Sequence, residues 1–209
     1  MNKLAAYKMD GLGNDFIIFD NRKKSISLTK DQIMKISDRN NIGCDQVIFI
    51  DSDKSNNTHL TFYNSDGGET AACGNGSRCV AYLLMCENNN KQITLRTKAG
   101  ILQAKLDDKN FVSINMGKPI FEWKKIPLLK EMDNKNLKIK INSIDRSEIM
   151  GGFSLSIGNP HIIFFVENLN QFNIEEIGPK IENHVFFPEK CNVTLANIKN
   201  KKHLKVKVW

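Results

Sequence analysis

Cys73 and its neighbours are the residues in this sequence best suited to chemistry. The stretch Ala72-Cys-Gly-Asn-Gly-Ser-Arg-Cys79 follows a strand-like run, Leu60 to Tyr63. It precedes an unbroken apolar segment, Ser77 to Cys86, long enough for about three helical turns. Gly74 and Gly76 offer the backbone freedom for a sharp turn between the two. Cys73 is therefore expected just ahead of a helix N-terminus. Unpaired N–H groups and the helix dipole favour negative charge there, so a thiol ionises more readily and a substrate carboxylate can be held beside the sulfur. A cysteine is usually a small core hydrophobe; the flanking glycines and the strand-to-helix position select the reactive reading.

The elements that must position this turn follow in chain order. Lys3 to Met9 and Phe16 to Phe19 read as strands on either side of the loop Asp10-Gly-Leu-Gly-Asn-Asp15. Thr29-Lys-Asp-Gln32 is a capping-box pattern opening a helix that presents Ile33 and Ile36. Asn41-Ile-Gly-Cys-Asp-Gln46 turns into a strand, Val47 to Ile50. In the helix after Cys73, the residues Cys79, Leu83 and Cys86 share a face that Val80 and Leu84 broaden, so Cys79 and Cys86 are expected in the core. Ile93 to Thr97 and Ile101 to Leu106 read as a hairpin, with Phe111 to Met116 as a further strand. Gly117-Lys-Pro119 breaks the pattern, giving expected domains 1–117 and 118–209. Leu137 to Ile141 and Phe153 to Ile157 are strands, and Lys199 to Lys207 alternates with Leu204, Val206 and Val208 as a strand with one wet face.

Self-comparison exposes an internal repeat. Gly13-Asn-Asp-Phe-Ile-Ile-Phe19 resembles Gly158-Asn-Pro-His-Ile-Ile-Phe164, an offset of 145. Ile174 to Asn183 matches the first helix, Gln46-Val47 matches Asn192-Val193, and His59-Leu60 matches His203-Leu204. A duplicated unit carries its own cysteine turn at positions 217 to 219, past Trp209, so the second half is expected to be truncated and its sheet to lack a covering helix. Each half brings a Gly-Asn loop (Asn14, Asn159) and an amide before a strand (Gln46, Asn192), and the first adds Asn64. Amides donate and accept, which suits a zwitterion bearing carboxylate and ammonium groups. Two thiols on opposite faces of a bound carbon could remove a proton from one side and return it on the other, inverting the centre. Helix N-termini aimed at the carboxylate would stabilise the developing carbanion.

Composition narrows the classes. The net charge is +7, but the lysines are scattered without interleaved aromatic residues, so no nucleic-acid partner is expected. No run approaches the ~18 apolar residues of a membrane span, and no secretory leader is read at the N-terminus. Cysteines 44, 73, 79, 86 and 191 form no C-x-x-C pair, and the four histidines do not cluster with them. No metal site or disulfide framework is expected, and the compartment is a reducing cytoplasm. No Walker loop, dinucleotide fingerprint or pyridoxal-phosphate site is recognisable, so no cofactor is expected.

Taken together, Gly11-Leu-Gly-Asn-Asp-Phe16, Gly43-Cys-Asp-Gln46, Phe62-Tyr-Asn-Ser-Asp-Gly67, Ala72-Cys-Gly-Asn-Gly-Ser-Arg-Cys79, Gly158-Asn-Pro-His161 and Asn192-Val193 resemble the diaminopimelate epimerase family over the whole chain. The resemblance implies an α/β (α+β) fold of two pseudo-symmetric domains, each a curved, mainly antiparallel sheet around a central helix, the second incomplete. It implies cofactor-independent interconversion of LL- and meso-2,6-diaminopimelate by a two-cysteine relay, in lysine and peptidoglycan biosynthesis, by a cytoplasmic homodimer. Cys73 takes one place in that relay. Gly74 and Asn75 take the α-carboxylate cradle, Asn14, Asn64, Asn159 and Asn192 the substrate-holding amides, and Gln46 and His161 positions lining the site, His161 alternatively ordering its own loop. The family's Glu-Arg pair and second cysteine turn are absent from these 209 residues, and Cys191 and Cys44 are given no role, so the resemblance implies impaired turnover by this chain alone. Two other readings stay open: a proline-racemase-like or phenazine-pathway-like isomerase of the same fold, and a module that binds ligand or a partner chain without turnover.

Overall fold

The computed structural model describes residues 4–52, 58–107, 111–144 and 147–209. Two compact units make up the chain, Met1–Gly117 and Lys118–Trp209. In the first, the order is β1 (Tyr7–Gly11), β2 (Asn14–Asp20), α1 (Lys30–Ser37), β3 (Gln46–Ser52), β4 (Thr58–Asn64), β5 (Glu69–Thr70), α2 (Gly74–Asn88), β6 (Gln92–Thr97), β7 (Gly100–Leu106) and β8 (Val112–Asn115). The strand expected from Lys3 starts at Tyr7; Lys3 itself lies outside the described residues.

Strands pair in the order β1-β2-β3-β4-β6-β7-β8, with β5 beside β4. β2/β3 and β4/β6 are parallel and the other pairs antiparallel. Leu12 and Gly13 close the β1–β2 turn at φ 55° and 86°, the positive values that a two-residue hairpin needs, and this pins Asn14 opposite Gly11. β2 and β3 are buried on both faces, which explains their continuous apolar runs Phe16–Phe19 and Val47–Ile50. One face, with Phe16, Ile18, Ile48, Ile50, Leu60 and Phe62, packs on α2. The other, with Ile17, Phe19, Val47 and Phe49, packs with Ile33 of α1. The α1 start is held by a capping box: Gln32 N–H donates to Thr29 Oγ1 at 3.3 Å, and Thr29 N–H to Gln32 Oε1 at 2.8 Å.

α2 touches β1 and β2 as well as β6, β7 and β8, so the sheet curls around the helix as a half-barrel. The helix buries Gly76, Ser77, Cys79, Val80, Ala81, Leu84 and Met85. Cys86 departs from the expectation: it is exposed although Cys79, two turns earlier on the same face, is buried, because burial ends at Met85 and the last residues of α2, 86–88, are all exposed. Asn89, in the left-handed conformation at φ 51°, ends the helix.

The second unit contains the hairpin β9 (Ile139–Asn142) and β10 (Glu148–Gly151), then β11 (Phe153–Ser156), β12 (Pro160–Phe165), α3 (Ile174–Glu182), β13 (Asn192–Asn200) and β14 (His203–Val208). The sheet order is β11-β12-β13-β14, with β12/β13 parallel and its flanking pairs antiparallel. That is the β1-β2-β3-β4 pattern repeated, with α3 in the connection that α1 occupies in the first unit. Register agrees as well: Phe16 pairs with Gln46, and the matching His161 pairs with Asn192. The core gathers Ile139, Ile162, Phe164, Ile177, Ile181, Val193 and Leu195. β14 corrects the one-wet-face expectation. Both faces are exposed, with Leu204, Val206 and Val208 as open to solvent as His203 and Lys205; only Lys207 is half-buried, its ammonium reaching back to the Leu169 carbonyl at 3.1 Å.

Candidate active site

Cys73 is the N-cap of α2, with extended backbone (φ −142°, ψ 114°), and its sulfur accepts the Gly76 N–H at 3.4 Å. Two expectations need correction here. Neither Gly74 nor Gly76 has positive φ; both lie inside α2. What the glycines supply is room. A Cβ on Gly76 would sit 2.7 Å from Ile48 Cδ1 and 3.2–3.3 Å from the rings of Phe62 and Phe16, so the missing side chain lets the helix start approach the sheet. The thiol, too, is not easier to ionise. Burial pushes its pKa up, and this outweighs the downward pull of the Gly76 and Asn75 N–H groups and of nearby Arg78. Cys73 therefore rests at neutral pH as the protonated thiol.

Beside it the amides of the first unit are linked. Arg78 Nη2 donates to Asn75 Oδ1 at 2.6 Å, Asn75 Nδ2 to Asn14 Oδ1 at 2.6 Å, and Asn14 Nδ2 to Asp45 Oδ2 at 3.2 Å. Gln46 opens β3 directly opposite Asn64 at the end of β4, and its Nε2 donates to Asn64 Oδ1 at 2.8 Å. Gln46 Oε1 is buried with no partner among the described residues. Gly74 is the first residue of α2, with Met116 as its neighbour. The first unit thus brings together Cys73, Gly74, Asn75 and Asn14, and pairs Gln46 with Asn64.

In the second unit Asn159 Oδ1 lies 2.8 Å from His161 Nε2, and Asn192 Nδ2 donates to the Pro160 carbonyl at 3.1 Å. Burial lowers the His161 pKa, so the neutral ring carries its proton on Nε2 and donates to Asn159. This bond ties the His161 ring to its own loop. Cys191 is buried against the Ile181 carbonyl, and burial raises its pKa to about 12. Among the described residues no group of His, Cys, Asp and Glu could hold a metal ion. No helix among them is long and apolar enough to cross a membrane.

A charged cluster behind Asn14 was not read from the sequence. Arg39 Nη1 and Nη2 hold Asp15 at 2.7 and 2.8 Å, and Nη2 also reaches Asp45 at 2.7 Å. Lys8 Nζ bonds Asp15 Oδ2 at 2.7 Å and the Gly43 carbonyl. The backbone N–H of Asp15 donates to Asp45 Oδ2, and that of Asp45 to Asp15 Oδ1, each at 3.0 Å. The cluster follows from the parallel β2/β3 pairing, which sets Asp15 and Asp45 side by side just ahead of the Phe16–Gln46 pair. Arg39's hydrogen bonds hold the Asp15 carboxyl well below the usual carboxylate range. A depressed folded-state pKa contributes stability above the unfolded pKa of about 4 that is lost as pH falls. Urea midpoints should show wild type ahead of Asp15→Asn by a constant margin from about pH 7 to 5, shrinking below about pH 4. A margin independent of pH down to about 2 would mean the cluster adds no acid-dependent stability.

Fold comparison defines the class first. A solved structure described as a probable proline racemase from Agrobacterium radiobacter K84 superposes with a TM-score of 0.67, covering 99% of this chain and 70% of that one at 12% identity. The architecture is therefore that α+β fold, with a curled half-barrel sheet and few helices. The family follows from sequence. The model of the diaminopimelate epimerase family matches residues 6–122 and 153–209. A diaminopimelate epimerase of Pelagibacter ubique (strain HTCC1062) is 51% identical over 206 residues, 99% of this chain and 75% of that protein. One of Caulobacter sp. (strain K31) is 39% identical over 97% of this chain and 73% of its own length. The chain belongs to the diaminopimelate epimerase family of isomerases.

Proposed function

We propose that the chain acts in the epimerisation of LL- to meso-2,6-diaminopimelate, with Cys73 as one of two acid–base groups. The observation that carries this reading is the Cys73 thiol at the N-cap of α2, beside the linked amides of Asn75 and Asn14. The α-carboxylate is held by the Gly74 and Asn75 N–H groups at the helix start. The proposed substrate-holding amides are Asn14, Gln46 and Asn64 in the first unit; in the second, the residues proposed for that role are Asn159, bonded to His161, and Asn192. In the resting thiol form Cys73 donates a proton to the carbanion on one face; in reverse, its thiolate removes that proton. No electrons are transferred and no group leaves, so the reaction balances on one proton lost and one gained. Cys44, Cys79 and Cys191 are buried and Cys86 is exposed at the end of α2, so residues 1–209 supply one arm of the relay. The same reading includes a homodimer in the cytoplasm.

One arm suffices for exchange of the α-hydrogen, whereas inversion needs both. Incubation with LL- and, separately, with meso-diaminopimelate in D2O, followed by mass spectrometry and chiral separation, should show deuterium at one α-carbon of the isomer whose α-hydrogen faces Cys73 and none in L-proline supplied in parallel. Tight binding of diaminopimelate with no exchange would favour a ligand-binding module instead. Exchange into L-proline would place the chemistry in the other branch of the fold.

A further inference from the structure

Asp45 and Arg78 terminate one continuous chain of side-chain hydrogen bonds, and their chemistry gives that chain a direction. A carboxylate only accepts and a guanidinium only donates. With Asp45 at one end, the Asn14 group facing it must be NH2, so the Asn14 oxygen faces Asn75. With Arg78 at the other, the Asn75 oxygen must face the guanidinium, so the Asn75 NH2 faces Asn14. Both ends thus demand the same orientation of both amides. Asp45 is itself held by Arg39 and by the Asp15 N–H, which fixes the acceptor end to the β2–β3 pairing. Arg78 sits one turn into α2, which fixes the donor end to the helix that carries Cys73.

We propose that Asp45 and Arg78 are positioning residues, which act through Asn14 and Asn75 by locking both amides in a single orientation. The consequence for binding rests on the reading of those two asparagines as substrate holders. In the locked state each amide keeps a second N–H that can face an anion. If either end is removed, an amide can rotate and present its carbonyl oxygen to the substrate carboxylate, which repels it.

The test uses the 209-residue chain with Arg78→Met and Asp45→Ala, and the conservative Arg78→Lys beside them. Side-chain amide NMR should show the Asn75 NH2 protons close to Asn14 in wild type, and this pattern lost or averaged in Arg78→Met and Asp45→Ala. Affinity for LL-diaminopimelate should fall about tenfold in Arg78→Met, the scale of one hydrogen bond to a charged group, and recover largely in Arg78→Lys. Should Asp45→Ala fail to fold, Arg78→Met at the opposite end decides alone. Unchanged amide patterns, or equal affinities in wild type and Arg78→Met, would overturn the proposal. If wild type itself binds no diaminopimelate while the amides reorient as described, the locking stands and the substrate reading fails.

Discussion

Serine in place of Cys73 should cut α-hydrogen exchange into diaminopimelate by at least about a hundredfold, the usual scale for losing a positioned acid–base group. The loss should be chemical and not structural. A hydroxyl is nearly the same size as the thiol and is a favoured N-cap, so the Gly76 N–H keeps an acceptor and α2 keeps its start. Urea denaturation should therefore give Cys73→Ser a stability within about 0.5 kcal/mol of wild type. The pH profile adds a signature. Burial holds the resting thiol protonated, so wild-type exchange should climb through the alkaline range as the thiolate forms, and the serine variant should lack that climb. Near-normal exchange in Cys73→Ser would remove the sulfur from the mechanism.

A second large effect separates the two glycines that flank Asn75. Gly76→Val puts a branched side chain where even a Cβ meets Ile48, Phe62 and Phe16, all three fully buried. Overpacking of this kind costs about 1–3 kcal/mol, and the helix start that carries Cys73 must shift to relieve it. Gly74→Ala meets only ordinary contact, with Met116 Sδ at 3.5 Å. Alanine also favours a helix over glycine by up to about 1 kcal/mol. Denaturation midpoints should thus fall sharply for Gly76→Val and hold or rise for Gly74→Ala. The reverse order would contradict the packing described for α2. Exchange activity should fall in Gly76→Val because Cys73 moves with the turn.

Local signals in the chain were readable where one residue carries one physical job. Thr29 and Gln32 announce a helix start because their side chains satisfy each other's backbone N–H groups. The repeat was readable because register preserves spacing, so Gln46 and Asn192 recur beside equivalent strands. The helix start at Gly74 was hidden by its own glycines, which read as a turn although Gly76 is there for close packing. Cys86 was misplaced because sharing a face with buried Cys79 does not bury a residue at the end of α2, where 86–88 are all exposed. The short pairing of Glu148–Gly151 with Ile139–Asn142 left no clear alternation to detect. The Lys8, Asp15, Arg39 and Asp45 cluster depends on a fold-level pairing, and the raised Cys73 pKa depends on burial; neither is a property of local sequence.

Whether Cys73 lines the diaminopimelate site can be asked directly by thiol alkylation at alkaline pH with peptide mapping, with and without diaminopimelate. The account predicts that Cys73 is alkylated and that diaminopimelate protects it, while exposed Cys86 is labelled at the same rate in both samples. Equal labelling of Cys73 in the presence and absence of saturating diaminopimelate would contradict it.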